Sequence, residues 1–248
     1  MIKELQKLTK DQLYQRLKEN SENLFSTIHS VLEGVFFNED SLDEEDLSDF
    51  LDMLDEETAQ KIKLALQEDT GNDEPDIFLM DTDSETSLDL ITKEGEGYQI
   101  ILLENDIHLS GNLFVEDHIV LIVAGHIKAE NVIVNGSLYC SGSLTCNVLF
   151  GASSNDHETH IEGNIKAALV AENGHYTMAE GDLHARYLLS FYNEIEGKKG
   201  KFIDNLSLER QDETALLNPE ILDKEGYFDE GIFLNYIEHN TVDTLFGS

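Results

Sequence analysis

Basic residues are scarce: 16 Lys and Arg stand against 51 Asp and Glu, a formal net charge of −35 at pH 7 over 248 residues. Nucleic-acid binding needs Lys and Arg to displace the counterions condensed on phosphates, and anionic lipid imposes the same demand, so both partners are excluded on charge. The excess is far beyond the magnitude of about 2 to 8 that keeps a small domain soluble. It points instead to a basic protein as the complementary surface. Cysteine is also sparse, with only Cys140 and Cys146, too few for a stapled secreted scaffold, so reduced thiols and no structural disulfide are expected. Long apolar runs are missing. The longest, Ile119 to Ala124, is far short of the roughly 20 residues that cross a bilayer, and Met1 to Lys18 lacks the continuous apolar stretch of a secretory signal. The expected compartment is the cytoplasm, with no membrane association.

Apolar residues make up 40% of the chain, enough for a packed core. Thr9 and Gln12 form a capping box ahead of Leu13, Leu17, Leu24, Phe25, Ile28, Val31, Leu32 and Val35, which recur at helical spacing. Ser41 with Glu44 opens a second amphipathic pattern, Leu47, Phe50, Leu51 and Leu54, and Asp55 caps a third helix carrying Ile62 and Leu66. Between Glu39 and Glu57 there are eleven carboxylates and no Lys or Arg. Asp43, Glu44, Glu45, Asp46, Asp49 and Asp52 are the candidate partner-binding residues of this acidic pole. The polar stretch Gln67 to Pro75 marks a boundary, followed by a short strand and a turn over Asp76 to Leu90.

From about Tyr98 a five-residue unit recurs: Gly, a small polar residue or His, Leu or Ile, any residue, then a small apolar one. Its six copies begin at Gly111, Gly125, Gly136, Gly142, Gly163 and Gly181. Apolar third and fifth positions around a mostly polar fourth give the period of a strand with one face buried, and glycine is expected to supply the turn. Such short strands bury their faces when successive coils stack, which describes a β-solenoid. An antiparallel sandwich with glycine turns is the other architecture this alternation fits.

The region Ile107 to Leu189, with units such as Gly181-Asp182-Leu183-His184-Ala185, resembles the repeats of bactofilins and other polymer-forming cytoskeletal proteins. That resemblance implies a right-handed β-helix and, in function, a self-assembling scaffold. In general character the chain also looks like the solenoid proteins of bacterial toxin-immunity systems. Near the C-terminus, Asn218 before Pro219 starts a helix and Asp223 to Gly226 is a turn. Ile232, Phe233, Tyr236 and Ile237 then stripe a final helix able to cover an open solenoid end.

No catalytic constellation is legible. His157 and His160 lie in a polar, loop-like segment without a zinc-type ligand set, and Cys140 and Cys146 fall at small apolar positions of adjacent repeats, as stacked inward thiols. Asp81, Asp83 and Glu85 open like a calcium loop, but Thr86 stands where Gly is needed and Thr92 where Glu is needed. His126 and His184 take different positions of the unit and are not expected to face each other. Lys128 and Lys166, with Phe114, Tyr139 and His184, occupy outward fourth positions and could form an aromatic and basic flank. The expectation is therefore a mixed α and β chain. It comprises an acidic helical region (1–70), a short right-handed β-solenoid with leading strands (76–206) and a C-terminal helical cap (207–248). Its expected role is non-catalytic and cofactor-free: an immunity-type module, monomeric or a small oligomer, that binds a basic toxin or effector. A self-assembling scaffold is the alternative, and an enzyme with an unrecognised site is the third reading.

Overall fold

The structure is a computed structural model and describes residues 2–37, 51, 53–54, 58–61, 74–82, 86–93, 95–153, 157–209 and 216–247. Seven parallel strands stack on the first face of a β-solenoid: β2 (Asp76–Thr82), β4 (Gln99–Leu103), β7 (Ile119–Val123), β10 (Ser137–Cys140), β13 (Glu158–Ile161), β15 (Tyr176–Ala179) and β17 (Ile195–Gly197). The short strands β5 (Ile107–His108), β8 (Ile127–Lys128) and β11 (Leu144–Thr145) form the second face, and β3 (Leu88–Leu90), β6 (Leu113–Val115), β9 (Asn131–Val134) and β12 (Val148–Ala152) the third. In the last three coils the second and third faces run together as β14 (Ile165–Asn173), β16 (Asp182–Ser190) and β18 (Gly200–Glu209). Coil length varies from 17 residues, Leu121 opposite Leu138, to 25, Leu88 opposite Leu113. That variation explains the irregular glycine spacing.

The third and fifth residues of the repeats build the interior. Leu113, Ile127, Leu138, Leu144, Ile165 and Leu183, with Val115, Ala129, Cys140, Ala167 and Ala185, are buried in one continuous core, against which Cys146 packs partly exposed. Each large aliphatic side chain removed from water contributes about 1.5–3 kcal/mol.

The six repeat copies do not stack on one another as a single set. Gly125, Gly142, Gly163 and Gly181 line the corner between the first and second faces, the amides of the last three each donating to the previous glycine's carbonyl at 2.9–3.0 Å. Gly111 sits at the second corner and Gly136 at the third. None of the six adopts positive φ, which among the described glycines is confined to Gly95, Gly174 and Gly226. Glycine here is required by close approach of coils: a Cβ on Gly142 or Gly163 would come within 2.5 Å of the carbonyl oxygen below it.

The second repeat position has its own physical reason. Asp106 Oδ1 accepts from the His126 amide, His126 Nδ1 from the Ser143 amide, Ser143 Oγ from the Asn164 amide and Asn164 Oδ1 from the Asp182 amide, at 2.7–3.0 Å. A short acceptor side chain thus satisfies a backbone donor of the next coil at every step.

The helices cover faces. The capping box at Thr9 opens α1 (Lys10–Asn20); Ser21 then interrupts the expected single helix and N-caps α2 (Glu22–Val31), which continues into a π-helical turn at Leu32–Phe36. Leu13, Leu17, Leu24, Ile28 and Leu32 pack on Ile77, Ile100, Leu102, Val120, Ile122 and Tyr139 of the first face, whereas Val35 is exposed. Arg16 bridges to Glu104, and Ser21 donates to Glu162, tying these helices to the first corner. A strand not foreseen, β1 (Ile2–Lys7), pairs antiparallel with β2. Asn218 caps a single 3-10 turn, Pro219–Ile221, and the helix proper is α3 (Glu230–His239), capped by Asp229. Its Phe233, Tyr236 and Ile237 lie against Val148, Phe150, Leu169 and Leu189 on the third face, so α3 runs along the flank of the solenoid rather than across its end. Among the described residues no helix is long and apolar enough to cross a membrane.

Candidate functional site

The six acidic-pole residues Asp43, Glu44, Glu45, Asp46, Asp49 and Asp52 lie outside the described residues. The repeat glycines are placed at the corners as above. With the first and third faces covered by helical segments, the described surface offers two distinct features: the second face and the third corner.

On the second face His108, Lys128, Thr145, Lys166, His184 and Phe202 stand in register as one exposed ladder. His184 stacks on Phe202 with ring centroids 4.6 Å apart. Lys128, Lys166 and His184 therefore do share a flank. Phe114 and Tyr139 do not join them: Phe114 packs beneath the C-terminal segment, and Tyr139 is buried under the N-terminal helices with its hydroxyl donating to Glu158 at 2.9 Å. His126 belongs to the corner ladder, away from His184.

At the third corner Glu172 takes an inward position, following Val134 and Gly151 in register, and is fully buried. Its Oε2 accepts from the amides of Gly174 (2.8 Å) and His175 (3.2 Å), and its Oε1 from those of Tyr192 (2.7 Å) and Asn193 (2.9 Å). One carboxylate thereby ties the turn of its own coil to that of the next, and four amide dipoles replace the water it has lost. Nothing in the pattern of Ala167 to Asn173 distinguishes this Glu from a surface one.

Buried histidines adjoin it. His157 and His160, expected in a loop, are 7% and 3% exposed, at and within β13, because strand pairing continues through them. Ser137 Oγ lies 3.1 Å from His157 Nδ1, and Asp117 Oδ1 lies 3.0 Å from its Nε2. Serine donating to Nδ1 would leave Nε2–H to face the carboxylate. His175 is fully buried; its Nε2 sits 2.9 Å from Thr159 Oγ1, and its Nδ1 has no hydrogen-bond partner among the described residues. Burial, with His157 adding to it, drives the His175 pKa down to about 3, and burial also lowers that of His160.

Along the same corner five successive coils contribute Asp117, Asn135, Ala152 with Ser153, Asn173 with Gly174, and Tyr192 to a groove of about 470 Å³, with Glu230 added from the first turn of α3. Asn173 donates its side-chain amide to Glu230 Oε1 at 2.9 Å. Asn135 Oδ1 is buried without a hydrogen-bond partner among the described residues, and the Tyr192 side chain is 70% exposed. Among the described residues no Lys or Arg lines the groove.

The thiols are correctly read as inward but do not stack on each other: Cys140 ends β10 on the first face and Cys146 follows β11 on the second, within one coil. Burial raises both pKa values, that of Cys140 to about 12, which keeps them as unreactive thiols near neutral pH. Among the described residues no group of three or more His, Cys, Asp or Glu side chains is arranged to hold a metal ion. No protein-family model, no curated protein and no solved structure matches the chain.

Proposed function

We propose that the chain is a non-catalytic binding module for a basic protein, of the immunity type in which the partner is a bacterial toxin or effector. The observation that carries this reading is the net charge of −35, an excess that mutual repulsion makes costly unless a cationic surface offsets it. The solenoid supports it as a rigid platform whose corner groove presents carboxylates, those of Asp117 and Glu230, in a fixed arrangement. Two features weigh against the alternative, a bactofilin-like scaffold that assembles end to end. The first strand of the first face is already occupied by antiparallel β1, and the last coil carries the Lys201–Glu209 ion pair, with Lys201 at an inward position that the earlier coils fill with Leu or Ile.

The test is to recover partners from the source cell with the wild-type chain and with an Asp46→Asn, Asp49→Asn double variant, then to measure association kinetics across a salt series. A basic partner should bind more slowly as salt shortens the screening length toward about 3 Å at 1 M, and more slowly to the variant. A neutral or acidic tightest partner, or rates indifferent to salt and to the substitutions, would defeat the reading.

A further inference from the structure

We propose that the third-corner groove receives an arginine side chain of the basic partner, a reading that rests on the function proposed above and adds the place and the chemistry of contact. A guanidinium is planar, always charged, and carries five N–H donors, so its site needs several acceptors in a fixed arrangement and a flat apolar face. The groove supplies each of these. Asp117 and Glu230 bring carboxylates from opposite parts of the chain, one from the corner before β7 and the other from the N-terminal turn of α3. Asn135 contributes a buried carbonyl oxygen that nothing among the described residues satisfies. Tyr192 offers an aromatic ring 70% exposed to solvent, the geometry on which a cation stacks.

The groove is also held in shape before any ligand arrives. Glu172 fixes the backbone of Gly174 and of Tyr192 from beneath, Asn173 holds Glu230 at 2.9 Å, and Gly174 keeps a left-handed conformation with φ of 85°. Acceptors fixed in this way bind without the ordering cost that exposed carboxylates on mobile side chains incur. A lysine ammonium would satisfy the carboxylates but not the stacking face, so the groove should favour arginine over lysine, which diffuse attraction to an acidic surface does not.

The test uses N-acetyl-arginine amide and N-acetyl-lysine amide as probes, titrated into the full chain and followed by nuclear magnetic resonance of the Asn135 and Asn173 side-chain amides and the Tyr192 backbone amide. Saturable shifts at these three positions are expected, with the lysine probe weaker by about fivefold, and Tyr192→Ala should abolish that preference while leaving the unfolding temperature unchanged. Glu230→Gln should weaken both probes. Shifts scattered over the surface, equal for the two probes and indifferent to Tyr192→Ala, would overturn the proposal. The two readings fail separately. A basic partner that binds the Tyr192→Ala, Glu230→Gln variant as tightly as wild type removes the groove and leaves the basic-partner function intact, whereas the lack of any salt-sensitive basic partner removes that function.

Discussion

Lys201 Nζ and Glu209 Oε2 meet at 3.0 Å across the last coil of the solenoid. Lys201 occupies the inward position that earlier coils fill with Ile107, Ile127, Leu144, Ile165 and Leu183, and Glu209 ends a ladder that starts with Val115 and Val134 and turns polar at Glu172 and Ser190. Ser207, following Leu188, donates to Glu209 at 2.7 Å. An end that would otherwise show an apolar cross-section to solvent shows instead a polar brace, a known way of blunting an open sheet edge.

Replacing Lys201 and Glu209 together by Leu should extend the apolar core to the open end and promote association through it. Sedimentation velocity at micromolar concentration is expected to show the wild-type chain as a monomer or small closed oligomer and the double variant as larger species. Filaments of the wild-type chain would contradict this account of the ends.

Glu172→Ala should destabilise the fold by about 3–5 kcal/mol, since four backbone donors in two successive turns would lose their shared, fully buried acceptor. Glu172→Gln should recover only part of the loss, because the amide nitrogen would face N–H donors. Urea denaturation measures both, and a Glu172→Ala variant within 1 kcal/mol of wild type, about the worth of a single neutral hydrogen bond, would show that the four bonds are not stabilising.

Acid should act on His175. Its folded-state pKa of about 3 lies below the ordinary value of 6.5. Above pH 6.5 both states are neutral there and the group contributes no pH dependence. As pH falls from 6.5 toward 3 the unfolded chain takes up a proton that the folded chain refuses, so stability is lost at up to about 1.4 kcal/mol per pH unit. Carboxylate repulsion relaxes over the same range, so the informative quantity is the difference from His175→Gln. Relative to its value at pH 7.5, the variant should gain about 2 kcal/mol on wild type at pH 4.5 in urea titrations. Parallel pH profiles would remove His175 as the cause.

Glycine placement offers a fourth test. Gly163→Ala forces a Cβ against the Gly142 carbonyl and should cost about 1–3 kcal/mol, while Gly34→Ala, where no atom lies within 4 Å, should be neutral or slightly stabilising. Thermal unfolding of the two variants separates close approach from a general effect of glycine content: equal shifts would refute the stacking role.

The solenoid was legible because the repeat carries its own burial pattern: a Leu or Ile at the third position can point only inward once the coils stack. The assignment of copies to three different corners was not, since each corner asks the same thing of the local chain, a small residue and then an acceptor. Glycine was misread for a related reason. A turn and a close contact select the same residue, and only the neighbouring coil tells them apart. Glu172, His160 and His175 were illegible as buried groups because partners that bury them lie 16 to 21 residues away, in coils whose register no local pattern sets. The coverage of faces by α2 and α3 followed the same logic. An amphipathic helix announces that it will be buried, not against what.

The side-chain-to-backbone bonds of the first-corner ladder all run one way: in each pair the acceptor side chain belongs to the earlier coil and the donor amide to the later one. A chain leaving the ribosome therefore presents Asp106, His126, Ser143 and Asn164 before the amides that need them exist. Each newly made coil finds these side-chain acceptors already in place, an arrangement compatible with closing the ladder in the order of synthesis.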